Sequence, residues 1–161
     1  MIVMKNKTVL FVDDEISILK TLTRLLRNED YHLLTATSAQ QGLELLSQHC
    51  VNIVVSDMRM PNVSGTEFLE QVKLDYPNVS RMIMSGYADL ESVFNAINHG
   101  DISQFVSKPW NNDTLKKVIV NQLTFHQNPI MEPYGKPITV QKLKQAVYEQ
   151  KQARRIHSSN S

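Results

Sequence analysis

The stretch Val51-Asn-Ile-Val-Val-Ser-Asp57-Met-Arg-Met-Pro61 decides the architecture of this chain. Ile53, Val54 and Val55 are apolar and β-branched in succession, the pattern of a strand buried on both faces. Such strands belong to parallel sheets with helices on either side. Ligands of open parallel sheets sit outside the carboxyl ends of the strands. Asp57 stands at that edge, and Pro61 closes the loop beyond it. An earlier run, Thr8 to Val12, ends in the same way, in Asp13-Asp14-Glu15. Side by side, two such strand ends crowd three carboxylates together. Like charges raise one another's pKa, so the crowding is costly without a cation. The arrangement calls for a metal.

Outward from this stretch, strand and helix alternate five times. After the first strand, Ile16, Leu19, Leu22, Leu25 and Leu26 mark one face of a helix that ends near Asn28. Tyr31 to Ala36 reads as a short second strand. Ser38 and Gln41 have capping-box spacing, and Leu43, Leu45 and Leu46 carry the next helix to His49. Beyond the central strand, Pro61 and Gly65 lead into a helix with Phe68, Leu69 and Val72, which Tyr76-Pro77-Asn78 punctuates. A fourth strand, Ser80 to Met84, ends in Ser85-Gly86. In the fourth helix Leu90, Val93, Phe94 and Ile97 fall at i, i+3, i+4 and i+7, and His99-Gly100 stops it. Ile102 to Val106 is the fifth strand and leads to Ser107-Lys108-Pro109. The last core helix starts near Asn112 and turns Leu115, Val118, Ile119 and Leu123 inward. Alternation at these lengths implies right-handed crossovers and an α/β, doubly wound parallel sheet, complete by about His126.

The chain has 161 residues, 42% of them apolar, which suits one domain over 1–126 followed by a tail. Pro129, Pro133, Gly135 and Pro137 give 127–138 the composition of a linker. The segment 139–161 carries Lys142, Lys144, Lys151, Arg154 and Arg155 against Glu149, a net of +4, so the other 138 residues carry −3 of the overall +1. Val140, Leu143 and Val147 form one narrow apolar strip there, too thin for an independent fold. It suffices to pack on a partner or on a second copy, making the tail a basic contact segment or a dimerising helix. A DNA-reading helix-turn-helix would need further helices for which there is no room, so direct DNA binding is not expected. A lone Cys50 suits a reducing compartment. No apolar run approaches the ~18 residues of a membrane span. Met1 to Lys5 is too short for the apolar region of a signal peptide. These features predict a soluble, cytoplasmic protein.

The strand ends together present Asp13-Asp14, Asp57, Ser85 and Lys108. Each has a place in phosphoryl transfer to a carboxylate. A carboxylate can be the nucleophile and form an acyl phosphate. Mg²⁺ takes oxygen ligands and keeps several waters, so two or three carboxylates plus a carbonyl would hold it. Charge on the moving phosphoryl oxygens needs metal and cation, which suits Lys108. Taken singly, these residues also have plain readings: Asp13-Asp14 as a helix cap, Asp57 and Ser85 as turn or capping residues, Lys108 as a solvated lysine. It is their joint occurrence that favours a site.

These residues resemble the receiver domain of two-component response regulators. The matching features are Val12-Asp13-Asp14, Ser56-Asp57-Met-Arg-Met-Pro61 with Gly65, Met84-Ser85-Gly86 and Phe105-Val-Ser-Lys108-Pro109, over roughly residues 7–126. The resemblance implies a flavodoxin-like (βα)5 fold with strand order 2-1-3-4-5. It implies Asp57 as phosphoacceptor and a Mg²⁺ site of Asp14, Asp57 and the Arg59 backbone carbonyl, with Asp13 acting mainly through water. Lys108 would pair with the phosphoryl group, and Lys108-Pro109 would be a cis peptide. Ser85 and Phe105 would be the switch pair, the hydroxyl moving to the phosphoryl oxygen and the ring turning inward. The partners implied are a sensor histidine kinase or phosphotransfer protein, and an output protein that reads the surface of the fourth helix, fifth strand and fifth helix. Such a protein is a signalling phosphoacceptor and not an enzyme acting on other molecules. The wording Ser85-Gly-Tyr-Ala-Asp89 and Lys108-Pro-Trp110 looks most like receivers fused to HD-type phosphodiesterase domains.

Two other classes share parts of this pattern. An aspartyl-nucleophile phosphatase usually carries its nucleophile on the first strand in an Asp-x-Asp arrangement, with a cap domain; neither is visible here. A flavin- or nucleotide-binding module should offer glycine and hydroxyl groups to phosphate in its first loop. Here that loop is Asp13-Asp14-Glu15. Neither class accounts for Lys108.

Overall fold

The computed structural model describes residues 4–124 and, beyond them, 130–131, 137–138, 145, 148–149 and 152–155. Five strands, β1 (Thr8–Val12), β2 (His32–Ala36), β3 (Ile53–Asp57), β4 (Ser80–Ser85) and β5 (Gln104–Ser107), alternate with five helices. The helices are α1 (Ile16–Leu26), α2 (Ala39–Gln48), α3 (Gly65–Asp75), α4 (Leu90–Asn98) and α5 (Asn112–Thr124). All four strand pairings are parallel and the order is β2-β1-β3-β4-β5, the flavodoxin-like doubly wound sheet. Several boundaries shift by a residue or two from the expected ones. α1 stops at Leu26, and β5 begins at Gln104 because Ser103 gives both its amide and its hydroxyl to the Arg81 carbonyl before the ladder starts.

Alternate residues of each strand face opposite sides, so one strand feeds two cores. Leu10, Val12, Val54, Ile83 and Phe105 pack with Phe68, Leu69, Val72 and Val93, under α2, α3 and α4. Val9, Phe11, Ile53, Val55, Met82 and Met84 pack with Leu19, Leu22, Leu26, Leu115, Val118 and Ile119, under α1 and α5. Each side chain of this size contributes about 1.5–3 kcal/mol on full burial. Met58 is buried and Met60 packs at the edge of the first core; Trp110 packs at the edge of the second, its Nε1 donating to Asn112 Oδ1 at 3.1 Å.

Ser38 caps α2 by accepting from the Gln41 amide at 3.1 Å, but Gln41 Oε1 accepts from the amide of Thr37 instead of that of Ser38, one residue further back than a capping box. Past α5, β6 (Ile130–Met131) pairs antiparallel with β7 (Pro137–Ile138) and lies against β5. Residues 145, 148–149 and 152–155 are helical, with Gln145 Nε2 donating to Glu149 Oε1 at 3.1 Å. The rest of the expected linker at 127–138 and tail at 139–161, including Val140, Leu143 and Val147, lies outside the described residues. Among the described residues, no helix is long and apolar enough to cross a membrane.

Ser64 opens α3 by capping the Glu67 amide, and the Gly65 amide donates to the Met58 carbonyl at 2.9 Å. The helix therefore begins directly against the end of β3. A Cβ at Gly65 would overlap the Asp57 carbonyl oxygen, and backbone cannot rotate aside. An unobstructed Gly→Ala change commonly stabilises by about 0.4–1 kcal/mol. Here overlap reverses the sign: Gly65→Ala should lower stability by roughly 1–3 kcal/mol, read as a fall in the urea midpoint. Gly86→Ala, where a Cβ would meet nothing within 4 Å, should stay within about 0.5 kcal/mol of wild type.

Candidate functional site

The sheet register assembles the site. Val12 pairs with Ser56, so Asp13 and Asp57 come next on adjacent strands; Ser85 pairs with Ser107, so Lys108 follows beside them. Asp13, Asp14 and Asp57 each place a carboxylate oxygen within 4.8 Å of the others. Lys108 Nζ bridges two of them, at 2.8 Å from Asp13 Oδ2 and 2.9 Å from Asp57 Oδ1. The side chains of Asp13, Asp57 and Lys108 are 4%, 11% and 22% exposed, while Asp14 is open to solvent. Several contacts fix this corner. Ser56 Oγ donates to the Asp57 carbonyl at 2.9 Å, Met58 N to the Met84 carbonyl at 3.1 Å, and Lys108 N to the Ser85 carbonyl at 2.9 Å. The Lys108-Pro109 peptide is cis.

The plain reading of Asp13-Asp14 as caps of α1 does not hold. Glu15 occupies the cap position and makes no side-chain cap bond, while Asp13 Oδ1 accepts from the Glu15 amide at 2.9 Å. The other Asp13 oxygen is the one on Lys108. Asp13 thus joins the loop to the lysine.

The electrostatics follow from one cation among three acids. Burial pushes the Asp57 carboxyl above its ordinary 3.8; hydrogen bonding and charge from Lys108 oppose this, and the charges of Asp13 and Asp14 add to it. For Lys108, burial disfavours the charged form, but the bonds and charges of Asp13 and Asp57 exceed it and raise its pKa above 10.5. The lysine gains from both partners, whereas Asp57 shares its lysine with Asp13. Metal binding fits this donor set. Mg²⁺ prefers carboxylate oxygens and water, and Asp57 with solvent-facing Asp14 offers both an anchor and an opening.

The other predicted residues are placed differently. Ser85 is buried, and its hydroxyl donates towards the Gly86 carbonyl at 3.0 Å and Asp89 Oδ2 at 3.1 Å. Phe105 is 1% exposed with its ring in the core beneath α4. The inward ring therefore coexists with a hydroxyl bonded to the Gly86 carbonyl and Asp89. A phenyl ring has no polar tip to leave in water, so burial is favoured. Arg59, expected through its backbone carbonyl, also uses its side chain: Nε and Nη2 donate to Asp89 Oδ1 at 2.9 and 2.7 Å. Asp89 had no assigned role. Its only signal was the four-residue spacing in Ser85-Gly-Tyr-Ala-Asp89. His32, His49 and His99 are exposed and belong to no group of potential metal ligands among the described residues; His126 and His157 lie outside those residues.

With fold and site in place, comparison with known proteins settles the class. The response regulator receiver domain family matches residues 9–120, and this chain belongs to it. The hydrogenase transcriptional regulatory protein HoxA of Cupriavidus necator is 39% identical over 111 residues, which are 69% of this chain but 23% of that protein. The chain thus spans about a quarter of the length of that relative. A solved, uncharacterized protein of Neptuniibacter caesariensis is 44% identical with a TM-score of 0.72, covering 74% of this chain and 89% of that one. The signal receiver domain of an HD domain-containing protein from Pseudomonas fluorescens Pf-5 is 32% identical with a TM-score of 0.71, over 77% and 91% of the two chains. The chain carries the phosphorylation-switch domain of response regulators.

The raised Asp57 pKa sets a pH test on metal-free protein. A carboxyl that holds its proton more tightly when folded is stabilising while protonated. Stability is then lost as pH rises from the unfolded value of 3.8 through the raised folded one. Asp57→Asn should therefore melt higher than wild type at pH 7, the gap closing as pH falls through the carboxylate range. Lys108, whose pKa is also raised, loses its contribution in the same direction, but only as pH rises above 10.5, outside this window. Thermal midpoints in the presence of a chelator, taken from pH 3 to 8, check the Asp57 difference.

Proposed function

We propose that Asp57 is the phosphoacceptor and that it is loaded by a sensor histidine kinase or phosphotransfer protein. What supports this is the placement of Lys108 Nζ on Asp57 Oδ1 inside a three-carboxylate cluster. In the transfer, an Asp57 carboxylate oxygen forms a bond to phosphorus as the donor's P–N bond breaks; the histidine nitrogen leaves with the electron pair and takes up a proton. Asp14, Asp57 and the Arg59 carbonyl would hold Mg²⁺, with Asp13 reaching it through water. When bound, the ion supplies charge neutralisation at the phosphoryl oxygens. Lys108 moves from the carboxylates to the phosphoryl group, and Ser85 donates its hydroxyl to it. Later attack by water on the same phosphorus returns Asp57 to the carboxylate. The chain turns over only its own phosphoryl group and acts on no separate substrate.

The output is a change in the surface of α4, β5 and α5, read by a downstream protein. Cytoplasmic placement goes with a kinase partner of this kind. Phosphorylation should be visible by intact mass with phosphoramidate as donor: wild type gains one phosphoryl group with Mg²⁺ and none with chelator, and Asp57→Asn gains none. Lys108→Ala should still bind Mg²⁺ but lose the phosphorylation-driven change in Trp110 fluorescence. Phosphoryl gain by Asp57→Asn equal to wild type would overturn the assignment.

We further propose that residues 127–161 are not part of the receiver core, and that their net-positive end serves as a contact segment or dimerising helix. Truncation after Gln127 should leave phosphorylation and thermal midpoint nearly unchanged while self-association or partner binding weakens. An unfolded truncation product would place the tail in the core.

A further inference from the structure

Asp89 stands at the N-terminal end of α4, where an aspartate ordinarily accepts hydrogen bonds from the amides of the first turn. Its carboxylate makes no such bond. It is held from two other directions: Oδ1 accepts from Nε and Nη2 of Arg59 at 2.9 and 2.7 Å, and Oδ2 accepts from the Ser85 hydroxyl at 3.1 Å. Both donors border Asp57. Ser85 ends the strand paired with that of Asp57, and Arg59 lies two residues beyond Asp57. The backbone agrees with the side chain. With φ −104° and ψ 11°, Asp89 continues the 3-10 turn Tyr87–Asp89, whereas capping residues are usually extended.

We infer that Asp89 is a positioning residue that withholds Ser85 and Arg59 from the Asp57 site, and that once a phosphoryl group draws those donors away its carboxylate turns to cap α4. The inference rests on the reading of Asp57 as phosphoacceptor. The Ser85 hydroxyl has a single proton, now directed towards Asp89 and the Gly86 carbonyl. A phosphoryl group carries about two negative charges and strong acceptor oxygens, so it competes for that proton and for the guanidinium. Arg59 can follow, since its side chain is 74% exposed. Asp89 is then left as an unpaired charge at the positive end of a helix dipole, where capping is favourable. One set of charge-assisted hydrogen bonds replaces another of the same kind, so a modest perturbation decides between the two arrangements. The exchange links events at Asp57 to the start of α4.

The test uses the full chain with Mg²⁺ and phosphoramidate, followed by intact mass. Asp89→Ala should accept the phosphoryl group on the order of three- to tenfold faster than wild type, the range of one lost hydrogen bond. In a chain already carrying Ser85→Ala and Arg59→Ala, adding Asp89→Ala should leave the rate unaltered, because no donor remains to be withheld. A merely structural role would not depend on those donors. Asp89→Asn, which keeps an acceptor for Ser85 but gives up the ion pair, should show a smaller acceleration and guards against misfolding of the alanine variant. Hydrogen exchange should show the amides of residues 90–92 gaining protection on phosphorylation in wild type but not in Asp89→Ala. Rates at or below wild type in both Asp89 variants, or unchanged protection in wild type, would overturn the inference while leaving the phosphoacceptor intact. A wild-type chain that never gains a phosphoryl group sinks both.

Discussion

The bridge from Lys108 Nζ to Asp13 Oδ2 and Asp57 Oδ1 is the interaction on which the rest of this site depends. Two unit charges ~4 Å apart interact by about 4 kcal/mol at an effective dielectric of ~20. Three carboxylates within 4.8 Å therefore repel one another unless a cation stands among them. A lysine amine is a compact charge on a flexible stem. It can hold the acids together and can also be drawn to a better anion. The same crowding that makes the lysine necessary makes the cluster receptive to a divalent ion.

The fold delivers this arrangement through register more than through loop shape. Parallel strands buried on both faces have little freedom to slip, because a one-residue shift exchanges the two cores. With Val12 opposite Ser56 and Ser85 opposite Ser107, the residues that follow are brought to one edge. Gly65 then lets α3 start against the Asp57 carbonyl, closing the corner from below. The groups that hold the acidic centre lie at strand ends, whereas Arg59 and Asp89 stand on connecting segments. Such a division places the chemistry on rigid elements and leaves the response to parts that can re-pair.

Much of this was legible in the sequence, for identifiable reasons. β-branched runs such as Ile53-Val54-Val55 announce buried strands, and a strand's last residue needs no three-dimensional knowledge to be placed at the sheet edge. Asp13, Asp14, Asp57 and Lys108 could therefore be gathered in advance. The pairing of Arg59 with Asp89 could not, since it joins residues 30 apart through a 3-10 turn that no periodicity marks. The double role of Asp13 was also hidden: it binds the Glu15 amide with one oxygen and Lys108 with the other, a division of labour that spacing does not reveal. The orientation of the Ser85 hydroxyl depends on that same turn. Chain beyond Thr124 offered composition but little pattern, and most of it lies outside the described residues.

The central claim is that one carboxylate of the cluster, Asp57, carries the phosphoryl group. Borohydride reduces an acyl phosphate to an alcohol and so converts a phosphorylated aspartate into homoserine, which peptide mass spectrometry can locate. Phosphorylated wild-type protein treated in this way should show homoserine at position 57 alone. Homoserine at 13 or 14, or intact aspartate at all three positions in protein that had gained phosphoryl mass, would contradict the account.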